Sequence, residues 1–234
     1  MSALTASEAS LDWAKIQQIN ADRLSLFQQL HVYGDVVPLR HVIDSRALDI
    51  ELARFDDKWV PYNPSKAANP RLGLSLTSLD GGMSGVPDLY SLYEWSKETD
   101  RKVSEKDFNQ PTEAYRHCKS IHPLIETFAG HLGRCRFVKF KPGGHFPPHR
   151  DGSVNYQIPD YFRILVPLSR TGDDNFHFVH DGQLVRYEVG RPYLFNALKT
   201  HSVMSFTEDA MTLAISVALT QEMVARAIGI FKNY

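Results

Sequence analysis

Beyond Gly133 the chain breaks into short runs that are β-branched or aromatic and separated by turn residues: RCRFVKF, YFRILVPLS, NFHFVH, QLVRYEV, PYLFNA, HSVMSF and MTLAISVAL. Seven such runs in about 85 residues leave no space for helices between them, and they predict an antiparallel β-sandwich or barrel. The segments before and after it read differently. Trp13, Ile16, Leu24, Phe27 and Leu30 recur at roughly helical spacing, so the first 30 residues predict a helix closed by Gly34. Extended runs follow at 36–43, 58–62 and 71–77, broken by NPSKAANP at 63–70. Residues 112–132 predict a second long helix, with a kink expected at Pro123. The final 14 residues predict a short closing helix. The expected class is α+β, mainly β: a jelly-roll-like core with flanking N-terminal helices. At roughly 150 residues per domain, 234 residues predict a single domain. Its parts are a helical and mixed N-terminal region at 1–133, a β core at 134–220 and a C-terminal helix at 221–234.

Charge and cysteine content exclude several classes of function. Lys and Arg total 26 and Asp and Glu 27, for a net charge of −1, so nothing points to nucleic acid or an anionic membrane surface as partner. With 43% hydrophobic and 23% charged residues, general disorder is not expected. Cys118 and Cys135 are too few for a disulfide framework and form no CxxC, and both are expected to be buried hydrophobes. No apolar run approaches the roughly 18 residues of a membrane span, and the first residues carry no secretory pattern. A cytoplasmic location is the expectation. The stretch 78–110 combines turn chemistry (DGGMSGVPD), an aromatic run (YSLYEW) and a highly charged run (SKETDRKVSEKD). It reads either as a solvated surface insertion or as a lid over a substrate.

His149-Arg150-Asp151 is the one His-x-Asp triplet of the chain. The triplet alone is a weak pattern, and its context supplies the meaning. KPGGHFPP leads into it, with Gly143 and Gly144 permitting a sharp turn and Pro147 and Pro148 stiffening the approach. In an extended segment, residues i and i+2 share a face, so His149 and Asp151 can address one ion. His201 opens the run HSVMSF, 52 residues later, where a double-stranded helix of β-strands can return it to the same mouth. Two imidazoles and a carboxylate on one side of a metal leave the opposite positions open, the arrangement favoured by non-haem Fe(II) oxygenases. Arg163 sits on the inward parity of YFRILVPLS, opposite the apolar face of Phe162, Ile164, Val166 and Leu168. A planar guanidinium there suits the carboxylate of an anionic cosubstrate. The alternative is a structural ion pair with a carboxylate such as Glu188.

The runs RFVKFKPGGHFPPHRD, FRILVPL and GRPYLFNA, ending at His201-Ser-Val, resemble the aspartyl/asparaginyl β-hydroxylase family, a branch of the 2-oxoglutarate and Fe(II)-dependent oxygenases. The resemblance covers about 134–219, with a weaker upstream signature at 71–82. It implies a cupin-like double-stranded β-helix, iron held by His149, Asp151 and His201, and a 2-oxoglutarate carboxylate held by Arg163. His145 matches a commonly polar position of the family. Many relatives carry an arginine about ten residues after the distal histidine to hold the cosubstrate's far carboxylate. Here that neighbourhood is Ala210, Met211 and Thr212. Either Arg163 does more of the work, or another cation such as Arg136 reaches in, or the cosubstrate differs.

The expected function is therefore hydroxylation of an unactivated C–H of an amino acid, free or in a peptide, with release of succinate and CO2. The alternatives are a cupin-like metal enzyme that does not use 2-oxoglutarate and a non-catalytic jelly-roll binding module. His177 reads as a possible pocket residue, and His180-Asp181-Gly182 as a hairpin turn. His117 and His122 sit five apart on a helical pattern, which turns their rings away from each other. Asn155, Tyr156 and Gln157 are either substrate contacts or loop filler.

Overall fold

The computed structural model describes residues 13–66, 68–152, 157–172 and 174–232. Helix α1 (Trp13–Leu30) buries only Phe27 and Leu30 and packs against the closing helix, while Trp13 lies 71% exposed. The apolar stripe read from the sequence is thus only partly used. Strand β1 (Val36–Pro38) is shorter than its apolar run, because Asp44 ends the extended stretch by capping helix α2 (Ser45–Leu52) through its carboxylate. Strands β2 (Val60–Pro61), β3 (Arg71–Ser75) and β4 (Thr77–Ser78) follow.

The stretch 78–110 is anchored in the core at several points, although its charged run stays mostly exposed. Leu89 and Phe108 are fully buried, helix α3 (Leu92–Thr99) buries Trp95, and Glu105 is inside the protein. Strand β5 (Gln110–Pro111) pairs back with β4. The expected long helix at 112–132 breaks into α4 (Glu113–His117), α5 (His122–Ile125) and short 3-10 turns. Cys118 leaves helical geometry at ψ 81°, and Pro123, which has no N–H to join a ladder, sits in the first turn of a new helix.

The β region supplies β6 (Arg136–Phe140), β7 (His145–His149), β8 (Tyr161–Pro167), β9 (Phe176–His180), β10 (Gln183–Leu184), β11 (Tyr193–Phe195), β12 (His201–Ser205) and β13 (Ala210–Ala218), before helix α6 (Gln221–Gly229). They form two antiparallel sheets. One runs β1-β11-β8-β13-β6-β3-β2 and the other β10-β9-β12-β7. Two such sheets with crossing connections make a jelly-roll, cupin-like sandwich. Three strands from before residue 134 complete the larger sheet. Asp181 and Gly182 both take positive φ (49° and 77°), which makes the β9–β10 hairpin turn.

Strict alternation places two cores on the two faces of the larger sheet. Phe162, Ile164 and Val166 of β8 and Leu168 just after it, with Leu213, Ile215 and Val217 of β13, pack outward against the helices. Leu165, Val138, Phe140, Phe178 and Phe195 pack inward between the sheets. The inward positions of β13 are all small (Ala210, Thr212, Ala214 and Ser216), and Thr212 and Ala214 line a cavity between the sheets. No described helix is long and apolar enough to cross a membrane.

Candidate metal centre

β12 pairs antiparallel with β7 so that His201 lies directly opposite His149. Cross-strand partners share a face, and the two rings come within 4.2 Å between centroids. Asp151 stands just past the end of β7, where its backbone N–H is tied to the Ala197 carbonyl. Its Oδ1 lies 3.7 Å from His149 Nε2 and 3.8 Å from His201 Nε2. All three ligand atoms fall within 4.8 Å of one another. Bonds of about 2.1 Å separate two donors by about 3 Å at a right angle and about 4 Å in line, so one ion fits between them after a small contraction.

The tautomers also suit a metal. His149 Nδ1 is 2.7 Å from the Pro147 carbonyl and His201 Nδ1 is 3.0 Å from the Lys199 carbonyl. A carbonyl only accepts, so both Nδ1 atoms carry a proton and both Nε2 atoms face Asp151. Burial pulls the His201 imidazolium down to about 4, with Asp151 opposing, so the ring is neutral and ready to ligate at neutral pH. Burial would raise the Asp151 carboxyl, but Arg163 and the two imidazoles outweigh it and hold the group below its ordinary value.

Arg163 is brought beside the triad and is engaged by protein groups. Its Nε donates to Asp151 Oδ2 at 2.7 Å, Nη1 to Ser216 Oγ at 2.6 Å, and both Nη atoms to Glu105 at 3.3 Å. All three nitrogens are thus committed to protein partners, and the guanidinium is not free for an external carboxylate. It holds Asp151 Oδ2 and so leaves Oδ1 toward the two imidazoles, an orienting role. The ion-pair alternative was right in kind and wrong in partner, since Glu188 instead pairs with Arg191 and Lys232 at the surface. Glu105 also takes a two-pronged contact from Arg134 (2.6 and 3.2 Å). Burial opposes ionisation of Glu105, yet the guanidiniums of Arg134, Arg163 and Arg136 hold it far below the usual carboxylate range.

Arg136 lines the cavity together with Arg163. β6 pairs with β13 so that Arg136 lies opposite Ala214. Its Nε donates to the Tyr62 hydroxyl at 3.0 Å and its Nη1 to the Arg134 carbonyl at 3.2 Å, while none of the described carboxylates forms an ion pair with it. The cavity, about 80 Å3, is lined by Arg136, Thr212 and Ala214 at one side and by His149, Asp151 and His201 at the other. Arg71, Arg134, Arg136 and Arg163 are all buried, against Glu105 and Asp151 near the triad and Asp88 behind Arg134. This surplus of buried positive charge suits an anionic ligand.

A family model for aspartyl/asparaginyl β-hydroxylase matches residues 88–215, more than half of the chain. The chain belongs to the aspartyl/asparaginyl β-hydroxylase family. That membership makes it a hydroxylase of the 2-oxoglutarate-dependent class. The family implies Fe(II) and 2-oxoglutarate, and the His-Asp-His triad is compatible with the iron. No curated protein matches the chain. Among solved structures, a 2-oxoglutarate/Fe(II) oxygenase-family oxidoreductase from Burkholderia pseudomallei is 15% identical over 85% of this chain and 90% of its own, with a TM-score of 0.47. KdgF from a Halomonas species is 16% identical over 40% and 74%, at 0.30. Salicylate 1,2-dioxygenase from Pseudaminobacter salicylatoxidans is 12% identical over 80% and 35%, at 0.33. These likenesses are distant, and the assignment rests on the family match.

Several other histidines of this β-hydroxylase family member have structural partners. His180 Nε2 meets the Asn196 carbonyl, His177 packs edge-on to Phe206 rather than lining the cavity, and His122 bridges Tyr115 and Glu126. His145 Nδ1 bonds the Gly143 carbonyl, and its ring lines a second hollow outside the metal cavity. Burial raises the Cys118 and Cys135 thiols to about 12 and about 11, so neither is a nucleophile. Asn155 and Tyr156 lie outside the described residues, and Gln157 is exposed. Sequence reasoning missed Arg71, Arg134 and Glu105. Arg134 and Arg136 share parity with the inward Val138 and Phe140, a usable signal; Glu105 sits in a charged run that looks solvated.

Proposed function

We propose that the chain is an Fe(II)- and 2-oxoglutarate-dependent dioxygenase that hydroxylates an unactivated C–H of an amino acid-type small molecule in the cytoplasm. His149, Asp151 and His201 hold the iron, and the single observation that carries the reading is their convergence through the β7–β12 register. Bound iron with 2-oxoglutarate supplies the oxidising chemistry: 2-oxoglutarate, O2 and R–H become succinate, CO2 and R–OH.

The protein's part is positioning and exclusion of water. Arg163 holds Asp151 so that Oδ1 faces the two imidazoles. Arg136, rather than Arg163, takes the far carboxylate of 2-oxoglutarate. The small side chains of Thr212 and Ala214 leave it space beside the cavity. Phe178, Phe195 and Leu165 give the cavity apolar walls that keep water from the reacting groups.

Anaerobic titration with Fe(II), then 2-oxoglutarate, tests both assignments. His149→Ala abolishes iron binding and succinate release while melting close to wild type. Arg136→Gln weakens 2-oxoglutarate binding by about tenfold or more, the loss of a charge-assisted contact of roughly 1.5–3 kcal/mol, with iron binding intact. Retained turnover in His149→Ala sinks the metal assignment. An unchanged 2-oxoglutarate requirement in Arg136→Gln sinks the clamp.

A further inference from the structure

A second hollow, about 720 Å3, opens on the other side of Phe146 and His149 from the metal cavity. Its lining includes Tyr62, Lys66, Arg71, Arg134, His145 and His149, and no described carboxylate lines it. Arg134 already spends its charge on Glu105. Arg71 does not have such a partner. It is 5% exposed, its Nε is buried without a hydrogen-bond partner, and no described carboxylate or carbonyl accepts from its guanidinium. The group rests on two aromatic faces, 4.2 Å from the centre of Phe146 and 4.9 Å from that of Tyr62. Those faces return part of the hydration a buried cation loses and leave the in-plane N–H groups unanswered.

Phe146 links this cation to the metal centre, since its ring lies 6.5 Å from that of His149. The wall is held rigid: Asn69 donates to the His145 carbonyl at 2.7 Å and accepts from the His145 N–H at 3.0 Å, tying the chain before β3 to β7. Arg71 also lies outside residues 88–215, so the family match says nothing of it.

We propose that this hollow is the substrate site and that Arg71 grips the free carboxylate of an amino acid, whose carbon skeleton passes Phe146 toward the His149 side of the metal centre. A planar fork of N–H donors matches a carboxylate two-to-two, and a residue inside a peptide has no α-carboxylate to offer. The inference rests on the hydroxylase reading for what happens to the substrate, but not for its binding.

Calorimetric titration of the purified protein, without metal and again with Fe(II) and 2-oxoglutarate under anaerobic conditions, uses the twenty standard L-amino acids, each against its primary amide. At least one acid binds ten times more tightly than its amide. Arg71→Gln removes that preference, Arg71→Lys keeps part of it, and the affinity of both variants for 2-oxoglutarate stays within twofold of wild type. Equal binding of acids and amides by the wild type overturns the proposal, whatever the variants do. Loss of 2-oxoglutarate binding in Arg71→Gln overturns it by moving Arg71 to the cosubstrate. A capped aspartyl peptide that outbinds every free amino acid overturns it too. Acid-selective binding without succinate release leaves the substrate site standing and removes the hydroxylase reading; the reverse result does the opposite.

Discussion

Asp88 carries a buried carboxyl with one oxygen that has no partner, and burial raises it from 3.8 to about 6. The folded state therefore holds this proton more tightly than the unfolded chain. Between about pH 4 and 6 folding stability falls as pH rises, and at neutral pH the buried anion costs about 2–3 kcal/mol. Asp88→Asn should raise the melting temperature at pH 7.5 and change it much less at pH 4.5; equal shifts at both would contradict the argument. Not all single-residue chemistry was this hidden in the sequence. His149 and Asp151 announce themselves by sharing one face of an extended segment, and Arg163 by its inward parity on an otherwise apolar strand. The partner of Arg163 was not legible. Glu105 lies 58 residues upstream in a charged run, and only the packed structure distinguishes it from its solvated neighbours.

Strand β7 shows how an element can be read for the wrong reason and still be placed correctly. Its sequence HFPPH contains two prolines and looks like a stiff connector, yet it forms an edge strand of the smaller sheet. An edge tolerates proline because a missing N–H there breaks no inner ladder. Gly144 sets how β7 leaves the turn. A Cβ at this position would lie 2.7 Å from the Pro70 carbonyl oxygen and 2.9 Å from that of Lys141, both backbone atoms that yield only by moving chain. Gly144→Ala should cost about 1–3 kcal/mol in urea unfolding and weaken Fe(II) binding, because His149 rides on the displaced strand. Iron affinity equal to wild type would show that the turn does not set the ligand. Elements whose limits depended on tertiary partners were less legible. The segment 112–132 keeps its apolar periodicity through a break at Cys118, so the pattern suggested one helix where the chain builds two. QLVRYEV pairs over only two residues.

At the scale of the molecule, the buried ion network joins the N-terminal half to the β-sandwich. Glu105 reaches Arg134 on the approach to β6, Arg163 on β8 and Ser216 on β13, and through Arg163 it reaches Asp151. Removing its charge leaves Arg134 without an anion and Arg163 with Asp151 alone. Glu105→Gln should cost about 3–5 kcal/mol in urea unfolding and also weaken Fe(II) binding, since Asp151 would share a less restrained Arg163. A variant as stable as wild type would mean that water or another group compensates the arginines. The class of the fold was legible from strand spacing alone, but the contribution of β1, β2 and β3 to the larger sheet was not, because short apolar runs carry no record of their partners.

The facing of His201 and His149 across β7 and β12 has a further consequence. Side chains alternate along a strand, so a slip of one residue would turn His201 outward and present Ser202 in its place. The same slip would expose Val203, which is buried among the inward apolar residues. Misalignment that would disarm the catalyst is thus also penalised as misfolding, and a molecule that folds at all folds with its ligands in step.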